Sequence, residues 1–266
     1  MENTMRIISF FTLFLFAIGL TTSCGSASTD SKETSSAETA ITEQSTTTEH
    51  NTLTDAEKAA GWELLFDGKA LTQWKGYNRP DLPSAWIVKD GMMTLDLKDE
   101  SKEGGDIITK AAYENFELQL DFKLYEETNS GVLYRVVEVE DTPIWHNAPE
   151  YQLIDDYHYI ESAGLEKTKT HLTGDNYDMQ VAVDKTFKPI EEWNTAKIVV
   201  NNGKVEHHLN GKKVVEYDTN SEEWAEMVQN SKFKDYEGYG KNAVGHIGLQ
   251  DHGHDIAFRN LKIRKL

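Results

Sequence analysis

From about residue 60 onward the sequence predicts an all-β domain, with two antiparallel sheets packed as a sandwich or jelly roll. Three observations carry this. Apolar and polar residues alternate over short runs: in "FELQLDFKLY" (116–125), Phe116, Leu118, Leu120, Phe122 and Leu124 share one face, and Glu117, Gln119, Asp121 and Lys123 the other. The runs are separated by "KDG", "NNGK" and "NGKK", which place Gly or Asn where a tight hairpin needs positive φ. The regular strand–helix alternation of a parallel sheet is missing, which leaves antiparallel packing of sheet on sheet.

Taken in order, the chain opens with a segment that does not read as core. Residues 1–23, "MENTMRIISFFTLFLFAIGLTTS", join an Arg to a short apolar stretch and small polar residues, the pattern of a secretory signal peptide. The apolar stretch is short for a stable membrane span. Cys24, the only cysteine, follows at once in a junction that resembles a bacterial lipobox, so lipidation of Cys24 is expected. A single cysteine excludes an intrachain disulfide. Residues 24–59 are dense in Ser and Thr and poor in large apolar groups, as in a flexible tether that cannot repay its ordering entropy. The end of that stretch, "LTDAEKAAG", reads as a short helix with Thr54 as cap and Glu57 three residues on. The expected localisation is extracytoplasmic, by lipid anchor in a bacterial envelope and with the outer membrane as the expected site.

Residues 60–266 form the single β-domain. Strands are expected at 62–66, 85–97, 106–110, 116–125, 130–139, 150–155, 177–183, 195–217, 243–250 and 255–265, with 195–217 folding as a three-strand meander. Helix is expected only near "SEEWAEMVQ" (221–229). The formal net charge of −18 argues against nucleic acid as a partner, since phosphate binding needs a basic surface.

Seven stretches stand in fixed order: "WELLFDGKALTQWKG", "WIVKDGMMTL", "GGDIITKAAYENFELQLDFKL", "NSGVLYRV", "EYQLIDD", "EEWNTAKIVVNNGKVEHHLNGKKV" and "GHIGLQDHGHDIAFRNLKIRKL". Together they resemble the 3-keto-disaccharide hydrolase family, a family with a concanavalin A-like sandwich, and the resemblance spans residues 60–266. It implies a small glycoside substrate whose glucose ring is oxidised at C3. A ketone there acidifies the C2 proton, so the site needs a base near C2, an electrophile for the C3 oxygen and an acid for the leaving oxygen. Ordinary hydrolysis by two flanking carboxylates is the competing route.

Alternation in "PEYQLIDD" places Glu150 and Gln152 opposite the core-facing Leu153. Glu150 is the first choice for base or metal ligand. By the resemblance and by strand parity, Arg135 is expected to grip a carbonyl or hydroxyl in the same groove; the alternative is an ion pair with Glu150 or Asp121. In "GHIGLQDHGH", parity puts His246, Gln250 and His252 along one polar face, and His252 is the imidazole expected to act as base, acid or ligand. The alternative is a local turn in which Asp251 and His252 satisfy backbone groups. Gly253 is expected to supply the bend and His254 to be exposed. Trp145 offers an aromatic wall for a sugar ring, and Lys110, Asn129, Gln152 and Gln250 are the further expected substrate contacts. His158 and His171 read as surface, and at most one of His207 and His208 can face the groove.

The segment "YIESAGLEKTKTHLTGDNYD" departs from the family's pattern after the Glu-x-Gln strand, so the resemblance does not fix the shape of the subsite there. No metal motif can be read from spacing. His146, Glu150 and His252 would suit a divalent transition ion, and the resemblance also allows structural calcium. Two other readings compete with an enzyme: a lectin-like module with the groove but no catalysis, and a structural envelope domain in which Glu150, Arg135 and His252 pair with one another.

Overall fold

The computed structural model describes residues 49–266. The signal segment, Cys24 and the first part of the tether lie outside the described residues. The tether's end does not. Asn51 is buried and exchanges backbone–side-chain hydrogen bonds with Asn260 (2.7 and 2.8 Å), fastening this segment to the last strand. Helix α1 (Asp55–Ala59) follows with the expected capping box: the Thr54 hydroxyl accepts from Glu57 N, and the Glu57 carboxylate accepts from Thr54 N.

The strands in chain order are β1 (Trp62–Leu64), β2 (Trp74–Gly76), β3 (Trp86–Lys89), β4 (Met92–Leu95), β5 (Ile107–Thr109), β6 (Phe116–Leu124), β7 (Asn129–Val136), β8 (Glu150–Ile154), β9 (Trp193–Asn201), β10 (Lys204–Leu209), β11 (Lys212–Asp218), β12 (His246–Leu249) and β13 (Ile256–Lys265). They form two antiparallel sheets. The larger runs β11-β10-β9-β6-β13-β4-β3, with β1 also paired to β13, and the smaller runs β2-β5-β12-β7-β8. The meander at 195–217 is β9, β10 and β11, with Asn210 and Gly211 at positive φ in its second turn.

The fold is not purely β. Four short helices punctuate the described residues, where the sequence promised α1 and α4 (Glu222–Asn230) but not α2 (Asp156–Ala163) or α3 (Leu165–Thr168). Asp155 starts α2 by accepting from His158 N, a cap hidden inside what reads as the end of a strand. Residues 177–183, expected as a strand, form none; the chain there carries only the isolated Asn176–Gln180 bridge.

The main core lies between the sheets. Phe116, Leu118, Leu120, Phe122 and Leu124 of β6 are all buried, as the alternation requires, and they pack with Ala196, Ile198 and Val200 of β9 and Phe258 and Ile263 of β13. Each such side chain contributes on the order of 1.5–3 kcal/mol by leaving water. Val132, Tyr134, Tyr151 and Leu153 bring the smaller sheet into this core. Its other face carries a second cluster of Ile108, Leu133, Val136, Ile144 and Ala148. That outer face also carries the candidate site.

Candidate active site

β7 and β8 pair so that Leu133 faces Glu150 and Gly131 faces Gln152. Direct partners share a face, so Glu150 and Gln152 stand on the outer face beside Leu133. There they border a cavity of about 170 Å³. Glu150 is only 3% exposed, and its carboxyl lies over Gly131. A methyl group on Gly131 would sit 2.7 Å from the Glu150 Cδ, so this glycine is required for space, not for a special backbone angle. Gln152 reaches Asn129 Oδ1 at 3.2 Å on one side and Glu150 Oε1 at 3.0 Å on the other. The second contact is a hydrogen bond when the amide nitrogen faces the carboxylate, the orientation that also satisfies the Ser130 carbonyl (3.1 Å).

Burial pushes the Glu150 carboxyl up to about 8; Asp106 adds to the shift and the Lys232 ammonium opposes it. Lys232 enters from the segment after α4. The residue as a whole is solvent-exposed, yet its Nζ lies 4.2 Å from the centre of the Tyr177 ring, 5.2 Å from Trp145 and 5.1 Å from Phe233. Partial desolvation holds this ammonium below the ordinary lysine value, against the pull of Glu150 and Asp178. The cavity therefore holds a carboxyl and an amine whose usual preferences for charge are both weakened.

The loop after β12 completes it. Gln250 lines the cavity, its N–H donating to Gly131 O (3.0 Å) and its carbonyl accepting from Ser130 Oγ (2.8 Å). Asp251 serves the backbone: Oδ1 accepts from Gly253 N (2.9 Å), Oδ2 from Gly105 N (2.6 Å), and its own N–H donates to Asp106 Oδ1 (2.8 Å). Gly253, at φ +86°, makes the bend. The turn reading thus holds for Asp251 but not for His252, which lines the cavity at its exposed rim. Asn129, Trp145, Glu150, Gln152, Gln250 and His252 meet there; Tyr177 and Lys232 join them unforeseen.

Other expected residues are elsewhere. Arg135 is not in the cavity. Between β7 and β12, Val136 pairs with His246 and Leu133 with Gly248, so Tyr134 and Arg135 stand opposite Ile247 alone. This bulge, with Arg135 at φ +58°, hands the outer face to Val136 and turns Arg135 toward the Glu114 carbonyl (3.5 Å). Its expected ion pairs are not made either: Asp121 bonds Arg259, Thr195 and Asn260 instead. Lys110 is exposed and away from the cavity lining. His246 lies at the far end of β12, with Nδ1 2.7 Å from Thr109 O. His146 stacks on Tyr236, ring centres 4.6 Å apart. Among the described residues no three His, Cys, Asp or Glu side chains gather closely enough to hold a metal ion, so the structure does not bring His146, Glu150 and His252 together as a set of three ligands. His207 is buried against Tyr134, whose hydroxyl lies 2.8 Å from its Nε2, and His208 binds Glu206, so neither faces the cavity. His254, expected at the surface, is half-buried, while His252 is the exposed imidazole.

A larger cavity of about 550 Å³ lies beside α4, lined by Trp224, Tyr236 and Lys234, but its carboxylates, Asp235 and Glu237, are exposed. The chemistry favours the smaller one.

Comparison with known proteins agrees with this reading of the chain. A family model described as the 3-keto-alpha-glucoside-1,2-lyase-like domain matches residues 61–264. A protein of Bacteroides thetaiotaomicron named 3-keto-disaccharide hydrolase is 35% identical, the match covering 78% of this chain and 79% of that one. A crystal structure from Parabacteroides distasonis, described as a candidate glycosyl hydrolase, superposes with a TM-score of 0.74 at 37% identity, covering 82% of this chain and all of that one. A second from the same organism, described likewise, gives 0.58 at 32% identity over 77% of this chain and 99% of the other. With a model match across the whole β-domain and a curated relative at this identity, the chain belongs to the 3-keto-α-glucoside-1,2-lyase-like family of glycoside-processing enzymes.

Proposed function

We propose that this chain cleaves glycosides whose glucose ring carries a ketone at C3, by elimination across C1–C2 followed by addition of water. The observation that carries the reading is Glu150: a buried carboxyl pushed up to about 8, in a cavity it shares with a partly desolvated ammonium and an imidazole. A group that must take a weakly acidic carbon-bound proton gains from a raised pKa. Glu150 removes the C2 proton and the electrons move to the C3 oxygen, where Lys232 supplies the positive charge. The C3 carbonyl then re-forms, a C1=C2 double bond is made, the C1–O bond breaks, and His252 gives its proton to the departing oxygen. Trp145 forms an aromatic wall, and Gln152 and Gln250 orient the ring.

Direct hydrolysis uses two carboxylates flanking the bond, and Glu150 is the one carboxylate lining this cavity. A sugar-binding groove without catalysis has no need of a buried carboxyl set beside an ammonium and an imidazole. The cavity volume, about 170 Å³, is below the roughly 300–1,000 Å³ of pockets for drug-sized ligands, and suits a single ring. The same proposal includes a concanavalin A-like jelly-roll topology for the two sheets. It also includes lipidation at Cys24 behind a cleaved signal, with the Ser/Thr-rich segment that follows as tether to an extracytoplasmic, outer-membrane surface. No helix among the described residues is long and apolar enough to cross a membrane.

The test is product release from a 3-keto-glucoside beside its unoxidised parent. Turnover of the keto sugar alone is the expected result. Equal turnover of both sugars would refute the C2 mechanism.

A further inference from the structure

Arg135 is a buried charge without a counter-ion. Arg79, Arg259 and Arg264 each hold a carboxylate. Arg135, 7% exposed, holds none among the described residues. Its side chain reaches only the Glu114 carbonyl, from Nη2 at the outer limit of a hydrogen bond (3.5 Å), and its Nε is buried without a partner. A guanidinium taken out of water with its N–H groups unfilled costs the fold free energy. The backbone is bent to keep it there. Arg135 sits at φ +58°, a methyl group on Gly245 would collide with its backbone, and its carbonyl accepts from Asn242 Nδ2 (3.4 Å). A non-glycine residue fixed in the left-handed region by its neighbours is a strain of the kind that gathers at ligand sites.

Arg135 lines a cavity of about 320 Å³, and Lys241 adds a second positive charge to the lining. Glu114, exposed at the rim, offsets one of the two. Amides in the wall are committed to the fold: Asn115 Oδ1 accepts from Asn202 N (2.8 Å), and Asn220 Nδ2 donates to Asn202 O (3.2 Å). The surplus is one positive charge, on a planar fork that matches a planar carboxylate. Through Thr219, Asn220 and Lys241 this cavity joins the larger one of about 550 Å³ beside α4. There Trp224 stacks between Tyr217 and Tyr239, and the Tyr239 hydroxyl is a second buried polar group without a partner. Neither cavity shares a lining residue with the one at Glu150.

We propose that these two joined cavities are a ligand site separate from the catalytic one, and that the ligand is an acidic sugar, a hydroxylated ring carrying one carboxylate. The carboxylate takes the unfilled N–H groups of Arg135 beside Lys241. The ring lies against Tyr239 and Trp224, where the Tyr239 hydroxyl gains a ring hydroxyl as partner. Both volumes, about 320 and 550 Å³, fall within the roughly 300–1,000 Å³ of small-ligand pockets. A dianionic phosphate is disfavoured, because the lining carries one net positive charge and the chain a formal charge of −18. The site does not rest on the chemistry read at Glu150; it gives the protein a hold on acidic carbohydrate that is independent of the ring cleaved there.

The experiment is calorimetric titration of the unmodified chain with methyl glucuronide, methyl glucoside, benzoate and inorganic phosphate, repeated on Arg135→Met, Lys241→Gln and Tyr239→Phe. The expected result is saturable binding of the glucuronide, about tenfold or more tighter than of the other three. Arg135→Met should weaken it about tenfold or more, and Lys241→Gln and Tyr239→Phe about threefold each. Thermal unfolding separates a ligand site from a structural role. Arg135→Met removes an unpaired buried charge and is expected to leave the Tm equal or higher; a fall in Tm would assign Arg135 to the fold and overturn the proposal. No saturable binding, or glucuronide bound no better than glucoside, benzoate or phosphate, also overturns it. So does a glucuronide affinity unchanged in Lys241→Gln and Tyr239→Phe, which decide the matter if Arg135→Met does not fold. Cleavage of a keto sugar enters none of these readings, so the two proposals fail separately.

Discussion

A carboxyl that must ionise to act, and that burial keeps protonated, leaves two marks that can be measured on one substitution. If Glu150 takes the C2 proton, kcat/KM falls on the acid side of a pKa near 8, the value to which burial pushes the free protein's group. Glu150→Gln removes the base and is expected to cost about 10²–10⁴ in kcat, with the acid limb gone from the residual rate. The second mark is on stability. The folded value is raised from 4.5 to about 8. The folded state therefore binds the proton more tightly, and this contribution is complete below the unfolded value and is lost as pH rises through the folded one. At about 1.4 kcal/mol per unit, ionised Glu150 costs the fold up to about 5 kcal/mol, an upper bound on the order of magnitude. Glu150→Gln should therefore raise the Tm at pH 8.5 and leave it nearly unchanged at pH 4.5. A variant that is inactive but no more stable at pH 8.5 would mean that Glu150 ionises without cost.

At the scale of elements, β7 and β8 show what can be read from a sequence and what cannot. The alternation of "EYQLI" puts Glu150 and Gln152 on the face opposite Leu153, and the structure places them on the outer face. Arg135 fails because one extra residue is inserted opposite Ile247, and a bulge reverses every parity beyond it without any signature in composition. Helix α2 was hidden for a related reason: its cap, Asp155, continues the strand pattern of β8, and the helix carries no buried apolar face to announce it. Lys232 comes from the segment after α4, where no period exists to assign a face, and Tyr177 from a run whose alternation reads as a strand but forms none, its N–H donating to the Glu150 carbonyl (3.1 Å). Gly131 tests the β7–β8 register directly. Gly131→Ala is expected to keep the fold at a loss of about 1–3 kcal/mol, the usual cost of overpacking, while displacing the Glu150 carboxyl and lowering kcat/KM by about 10². Thermal unfolding and steady-state kinetics on the same sample check it. Full activity in this variant would show that the carboxyl does not need its place over Gly131.

For the whole molecule, the buried ionisable groups set a stability curve that runs against the proposed activity. Burial raises Asp106 and Asp175 to about 7 and Glu150 to about 8. All three bind protons more tightly in the folded state, so stability falls as pH rises from their unfolded values through that range. His207 acts the other way. Burial lowers it from 6.5 to about 4, so the fold loses stability as pH falls through that interval and the unfolded chain alone takes up a proton. Three groups outnumber one, so the net slope between pH 4.5 and 6.5 is downward with rising pH. Below pH 4.5 the sign reverses, because carboxylates such as Glu57, lowered to about 2 chiefly by its bond to Lys262, stabilise only while ionised. The formal net charge of −18 adds self-repulsion on the alkaline side. Urea midpoints measured for the domain are therefore expected to be highest near pH 5 and clearly lower at pH 8.5. The proposed catalysis needs Glu150 ionised and improves across the same interval, so the site gains reactivity from the charge that the fold pays to bury. A midpoint at pH 8.5 equal to that at pH 5 would remove the basis for both halves of this opposition, since it would mean that these carboxyls ionise freely in the folded protein.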